Sequence, residues 1–208
     1  MNNEAILHKN MTGDCYRFLS ACFCLPQKDV FLGENLLFNL TGHLKKICPE
    51  ASVFSDRMEK NILKYSNEDL SVEYAKLFVG PYELKAPPYG SVYLDNAKVV
   101  MGDSTMQVIK MYEEEGLRRD SNFRELPDHI SVELEFMYFL IYREIEALKK
   151  ADIAAAAGYT EKQMEFMSKI LMKWVPLFCE KIKEGTENNF YTALADCTYI
   201  YVANSYEN

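Results

Sequence analysis

Pro127 to Lys150 reads PDHISVELEFMYFLIYREIEALKK, and the period of its apolar residues decides the fold class. Ile130, Leu134, Met137 and Ile141 fall on one helical stripe, while Val132, Phe136, Phe139 and Leu140 fill the other sides. A helix that is apolar on most sides is a central, buried one. Pro127 suits the first helical position, which puts Asp128 and His129 in the first turn. The polar run from Glu144 to Lys150 is expected to emerge from the core.

Outward from this segment the same 3.6-residue period recurs. Residues 4–25 place Tyr16, Leu19, Cys22 and Phe23 on one face, weakened by Gly13 and closed by Pro26. Residues 34–47 carry Leu36, Leu37, Leu40, Leu44 and Ile47 and stop at Pro49; a third helix covers 52–65. Ser66 and Asp69 form a capping box ahead of Leu70. That fourth helix carries Tyr74, Leu77 and Phe78 to Gly80-Pro81, which ends it. Val99-Val100-Met101 reads as strand or packed loop. Gly102-Asp103-Ser104 offers an N-cap to a helix marked by Met106, Ile109 and Tyr112 and ended by Gly116. Arg118-Arg119 reads as a solvated helix exit. Ala151 to Gly158 is an Ala-rich bridge, helix tail or linker. Thr160 and Gln163 read as a second capping box opening a helix with Met164, Met167, Ile170, Leu171, Trp174 and Phe178, bent at Pro176. The last helix, about 187–204, carries Phe190, Tyr191, Leu194, Thr198, Tyr201 and Val202. Neither period-2 alternation nor an internal repeat competes with this pattern. The prediction is an all-α, single-domain helical bundle over residues 1–208 with one long irregular Pro-rich loop at 80–103.

The totals bound the function. A chain of 208 residues that is 49 % hydrophobic and 26 % charged can build a substantial core. The net charge of −8 argues against a phosphate-neutralising nucleic-acid face and either favours a basic partner or serves solubility alone. No apolar run is long enough to span a membrane, and the N-terminal residues lack a secretory signal's apolar stretch, so a cytosolic protein is expected. Cys15, Cys22, Cys24, Cys48, Cys179 and Cys197 form no C-x-x-C pair, and His8, His43 and His129 lack metal-ligand spacing. Six free thiols in or near the core, no metal and no cofactor are therefore expected. Met164, Met167 and Met172 near Trp174 read as core filler.

Two places carry functional signals. The stretch EYAKLFVGPYELKAPPYGSVY, Glu73 to Tyr93, ends a helix and then stiffens through Pro87-Pro88, with Tyr82, Tyr89 and Tyr93 spaced along it. It is either a preformed binding shape or a stiff connector whose tyrosines pack on the core. Asp128-His129 is the most reactive-looking pair, yet neighbours on a helix do not face each other. Asp128 can simply favour a helix N-terminus, and His129 can be a satisfied, partly buried imidazole. The sequence holds no nucleophile elbow and no phosphate loop.

Four segments in order, EYAKLFVGP (Glu73–Pro81), PPYGSVY (Pro87–Tyr93), GDST (Gly102–Thr105) and PDHISVELEFM (Pro127–Met137), resemble the TorD/DmsD family of cytoplasmic molybdoenzyme chaperones, the redox enzyme maturation proteins, and most resemble its DmsD branch. The resemblance implies a non-enzymatic TorD-like bundle, monomeric with a domain-swapped dimer as a second form. Such a chaperone binds the twin-arginine signal peptide and the apoprotein of a molybdopterin-dependent oxidoreductase of the DMSO reductase type before Tat export. The Tat translocase and molybdenum-cofactor insertion proteins are candidate further partners. It implies a peptide-binding pocket of Tyr74, Leu77, Phe78, Pro88, Tyr89, Asp128 and His129. Tyr74, Tyr82, Tyr89 and Tyr93 stand where the family's branch commonly has Trp. On this reading Leu77, Phe78, Pro88 and Tyr89 hold the apolar part of the leader, and Asp128, with Glu125 or Glu133, faces its arginines. The competing readings are a helical adaptor without a preprotein client and a hydrolase using His129 as base. Guanine-nucleotide binding, suggested for family members, has no motif in this sequence.

Overall fold

In the computed structural model, residues 3–80, 84–95, 100–118 and 125–207 are described. Pro81, Tyr82, Val99 and Arg119, each singled out above, lie outside the described residues. The chain runs through α1 (Asn3–Cys22), α2 (Lys28–Gly33), α3 (Leu36–Ile47), α4 (Pro49–Ile62), α5 (Asn67–Tyr74), α6 (Gly90–Leu94), α7 (Asp103–Glu114), α8 (Ile130–Lys149), α9 (Ile153–Phe166), α10 (Met172–Gly185) and α11 (Asn189–Glu207). Among the described residues there is no strand, only an isolated antiparallel bridge between Tyr89 and His129. The fold is an all-α single domain, as its periodicity predicts. Among the described residues no helix is long and apolar enough to cross a membrane.

α8 lies between α1 and α9, α3 pairs with α4, and α11 packs on α4 and α10. Tyr16, Phe23, Phe166, Trp174, Phe178, Phe190, Tyr191 and Tyr201 are fully buried where these helices meet. Each such ring contributes roughly 1.5–3 kcal/mol by leaving water. Two of the buried hydroxyls keep backbone partners: Tyr191 donates to the Leu70 carbonyl at 3.0 Å and Tyr201 to that of Thr12 at 2.7 Å. Gly13, read above as a weak point of α1, has a packing role. A Cβ there would stand 3.3 Å from both Ile141 Cγ2 and Tyr138 Cδ2, so glycine allows α1 to approach α8 closely.

Several boundaries differ from the sequence reading, each for a local reason. Pro49 does not only stop α3; it is the first residue of α4, where its missing N–H costs nothing. The Ser66–Asp69 capping box is present. α5 then widens into a π-turn over Ala75–Val79, closed by Gly80 at φ +93°, whose N–H reaches the Ala75 carbonyl at 2.9 Å. The Thr160–Gln163 capping box does not exist, because α9 already begins at Ile153, capped by Asp152 Oδ1 on the Ala155 N–H at 3.0 Å. Thr160 and Gln163 instead donate to Glu144 at 3.0 and 2.9 Å, and Lys9 pairs with the same carboxylate at 2.7 Å. Glu144 is therefore buried rather than emerging. A second π-turn, Met167–Leu171, precedes Pro176 of α10. Five of the six thiols are buried and Cys24 is exposed; none is paired.

Candidate functional site

The proline-stiffened bend and the start of α8 meet. Pro88 offers its carbonyl to the Ile130 N–H at 2.9 Å, and the Gly90 N–H donates to the Asp128 carbonyl at 2.9 Å. This two-bond ladder is what an extended X-Pro segment can make when a neighbour presents free backbone. It holds the Tyr89 ring edge-on to the His129 ring, centroids 5.4 Å apart at 67°. The foot of the bend is tied down by the Ala86 N–H on the Leu77 carbonyl at 3.0 Å.

Asp128 is not in the first turn of α8. The helix starts three residues later than predicted, with His129 as its N-cap. Asp128 is 1 % exposed, and its Oδ2 accepts from the Ser91 N–H at 2.9 Å and the Ser91 hydroxyl at 2.6 Å. It thereby caps α6 from 37 residues away. At the other end of α6, Asp95 accepts from the Ser104 hydroxyl at 2.9 Å and the Ser104 N–H at 3.3 Å, capping α7. Gly102 is required here: a Cβ on it would stand 2.0 Å from Asp95 Oδ2. α7 returns to the start of the circuit through Tyr112, whose hydroxyl donates to the Pro127 carbonyl at 3.0 Å. Residues 127–128, α6 and α7 thus form a closed ring of polar bonds. The loop predicted as structureless over 80–103 contains a helix that this ring holds in place.

Two more titratable groups lie inside the ring. Glu133 is buried, with Oε2 accepting from Trp174 Nε1 at 2.8 Å. Its Oε1 lacks a partner and lies 3.3 Å from where a Gly90 Cβ would stand; Asp128 Oδ1 also lacks one. Burial, and secondarily the Asp128 charge, hold the Glu133 carboxyl well above the usual carboxylate range. His129 is 2 % exposed, and burial lowers its pKa to about 4. Its Nδ1 accepts from the Ser131 N–H at 3.2 Å, which assigns the neutral ring's proton to Nε2, 3.9 Å from Glu125 Oε2. With that lone pair used by the cap, the ring cannot act as the general base of the hydrolase reading.

Of the predicted site residues, Tyr89 is half-exposed, while Tyr74, Leu77, Phe78, Pro88, Asp128 and His129 are buried. Leu77 and Phe78 belong to the core, Phe78 meeting Phe23, Tyr74, Phe178 and Tyr191. Tyr74 donates to the Phe23 carbonyl at 3.3 Å. The structure therefore brings Tyr89, Asp128 and His129 together and puts Leu77 and Phe78 beneath them. The open hollow is the adjacent one. Between α7 and α8 runs a groove of about 890 Å³, with Val132, Phe136, Phe139 and Ile109 as its apolar floor and Glu125 and Glu135 at its edge. Pro127 and Tyr112 line it as well, so the polar ring forms one of its walls. Val132 and Phe139 read as core from their apolar character; only the tertiary position of α7 reveals that they face a groove.

The nitrate reductase delta subunit family model matches residues 44–180. A chaperone protein TorD from Photobacterium profundum is 30 % identical over 199 residues, covering 91 % of this chain and 90 % of its own. A Tat proofreading chaperone DmsD from Salmonella typhi is 28 % identical over 139 residues, 67 % of this chain and 61 % of its own. The fold is shared with a crystal structure from Archaeoglobus fulgidus described as a redox enzyme maturation protein, at a TM-score of 0.56 and 22 % identity over 90 % of this chain and 92 % of that one. The segments around the aromatic bend and the start of α8 that resemble these chaperones are thus joined by family and by fold, and the chain belongs to the TorD/DmsD chaperones of the nitrate reductase delta subunit family.

Proposed function

We propose that this chaperone binds the twin-arginine signal peptide of a molybdopterin-dependent oxidoreductase precursor of the DMSO reductase type, in the cytoplasm, and holds the apoprotein until its maturation is complete. The observation that carries the reading is His129, which stands between the half-exposed Tyr89 ring, 5.4 Å away, and Glu125, 3.9 Å away, the latter lining the apolar groove. An exposed carboxylate beside an aromatic face suits a guanidinium, which pairs with the one and stacks on the other. Glu125 takes the role first assigned to Asp128, whose accepting oxygen is already engaged by Ser91. Tyr89 contacts the peptide, and Tyr74, Leu77, Phe78, Pro88, Asp128 and His129 position it. The net charge of −8 steers a cationic leader toward the site and makes association salt-sensitive.

Isothermal titration with a synthetic leader peptide containing paired arginines tests this. Glu125→Gln is expected to weaken binding about two- to fivefold, the scale of one exposed ion pair, and Tyr89→Ala about tenfold, the scale of a small hot spot. A wild-type protein that does not bind the peptide would sink the reading. Recovery from cells without any precursor bearing an Arg-Arg leader would favour the adaptor.

A further inference from the structure

Beneath α6 two carboxyl side chains, Asp128 and Glu133, are buried close enough to act on each other electrostatically. One oxygen of each is engaged. Ser91 donates twice to Asp128 Oδ2, and Trp174 Nε1 donates to Glu133 Oε2 at 2.8 Å. The other oxygens, Asp128 Oδ1 and Glu133 Oε1, have no donor. Both carboxyls meet α6 at its first turn: Ser91 belongs to that turn, and Glu133 Oε1 lies 3.3 Å from where a Gly90 Cβ would stand. The α6 backbone therefore rests on the two carboxyls through a glycine.

No cation balances the pair. Among the described residues neither carboxyl makes an ion pair with a lysine or arginine. α7 presents Tyr112, the bend Tyr89 and the start of α8 His129; burial raises both tyrosines and lowers the histidine, so all three favour their neutral forms. α10 presents the neutral Trp174 indole and α6 the Tyr93 hydroxyl. The cations of these elements lie elsewhere. Lys85 and Lys173 are exposed, and Lys110, Lys181 and Lys183 pair with Glu114, Glu184 and Asp196. On the other sides of α8, Lys9 of α1 pairs with Glu144 and Lys162 of α9 with Glu115. The nearby Glu125 and Glu135 add only negative charge. Two uncompensated carboxylates in such a place are not tolerated, so one of the two keeps a proton. The hydrogen bonds say which. Asp128 accepts two bonds on one oxygen, which favours its charged form, whereas Glu133 accepts one. Because Glu133 Oε2 is the acceptor for Trp174, its proton belongs on Oε1.

We infer that Glu133 is a positioning residue that works as a neutral acid: the proton on its Oε1 lets α6 rest on the Asp128–Glu133 pair, and loss of that proton lifts α6 away from Trp174. The inference concerns the chain alone and stands whether or not a leader binds at Tyr89. The bend moves with α6, because the Gly90 N–H is bonded to the Asp128 carbonyl and Pro88 to Ile130. One proton at a buried carboxyl thus decides where the Tyr89 ring stands. The latch is closed below the folded pKa of Glu133 and opens as pH rises through it.

The test uses the full chain without any ligand. Trp174 is its single tryptophan, with the Tyr93 ring stacked on it at 5.5 Å, so its emission reports this spot alone. Infrared spectra of wild type at neutral pH are expected to show the C=O stretch of a protonated carboxyl that is absent from Glu133→Gln. On raising the pH, that band is expected to disappear and Trp174 emission to shift to the red with one midpoint, before the helical circular dichroism falls. One pH unit above that midpoint, the Gly90 and Ser91 amides are expected to exchange roughly tenfold faster in wild type than in Glu133→Gln. Glu133→Gln keeps an acceptor for Trp174 and places N–H donors where the proton sits, so its emission is expected to stay constant over the same range. A carboxylate that served only as the acceptor for Trp174 would give no such band and no such midpoint. Should Glu133→Gln not fold, wild type grown with carboxyl-¹³C glutamate replaces it, and the band is expected to move to lower frequency. Absence of the band at neutral pH, a band indifferent to the label, or an emission shift retained in Glu133→Gln would overturn the inference. So would either signal moving without the other, or neither moving before the chain unfolds.

Discussion

Replacing Asp128 by Ala should destabilise the protein, not merely empty a binding contact. The side chain accepts two hydrogen bonds from Ser91, at 2.9 and 2.6 Å, in a place that water does not reach. Truncation leaves a buried N–H and a buried O–H unmet, at roughly 1–3 kcal/mol each. Part of that is returned, because the change also removes a buried carboxylate whose Oδ1 has no partner. A net loss of about 2–4 kcal/mol results, and for a chain of 208 residues each kcal/mol lowers Tm by about 2–4 °C. Thermal and urea unfolding, followed by circular dichroism, should show a drop of roughly 5–15 °C and a lower midpoint at an unchanged m-value. Asp128→Asn keeps an acceptor for Ser91 and should lose less than half as much. An unchanged Tm in Asp128→Ala, or equal losses in Ala and Asn, would refute the argument that this carboxylate is a cap for α6.

Gly90→Ala should cost about 1–3 kcal/mol, because its Cβ would stand 3.2 Å from Trp174 Nε1 and 3.3 Å from Glu133 Oε1, two groups already bonded to each other; equilibrium unfolding measures it. Asp95→Ala removes the cap of α7 and should lower stability by about 1 kcal/mol, with faster amide exchange in α7 than in α8 as the readout. Stability against pH carries two opposed signs. His129, held near 4 when folded, costs stability as pH falls below its unfolded value of about 6.5; Glu133, raised when folded, costs stability as pH rises above about 4.5. The slopes oppose each other between these values, and above about 6.5 the Glu133 loss is unopposed until the pH passes its raised folded value. Urea titrations should show stability falling with rising pH above about 4.5 more in wild type than in Glu133→Gln; identical pH profiles in the two would contradict the raised carboxyl.

The helical class was legible because the apolar period is set by burial against neighbouring helices, and the stops by backbone chemistry that prolines and glycines carry in themselves. The errors have a common physical form. Thr160 and Gln163 stand three apart, as a capping box does, but the run Ile153 to Gly158 before them is already helical, and alanines do not advertise a face. Asp128 follows a proline and precedes an apolar stripe, so local reasoning puts it in a first turn. Its bonding partner is 37 residues away, and no local pattern records that. α2 is six residues long, too short to display a period. The junction of bend and helix start came from the family resemblance, since the prolines and tyrosines alone leave a stiff connector equally open. The groove was not, because Val132 and Phe139 are equally apolar whether they face a core or an empty seat.

A buried carboxylate is an expensive way to hold a short helix, and apolar residues of similar volume would commonly be as stable or more so. What the polar ring supplies is position. Apolar contacts tolerate sliding, whereas the Asp128–Ser91, Asp95–Ser104 and Tyr112–Pro127 bonds are each satisfied in one arrangement of α6 and α7. α7 also buries Thr105 and Val108 and sets Tyr112 against Phe136 and Phe166, and these contacts hold it to the core without fixing its register. The three hydrogen-bonded pairs thus select where α7 stands beside the groove, in addition to the bulk of the core. This explains how Asp128 can matter for a ligand it does not touch: it fixes the wall against which the ligand would lie.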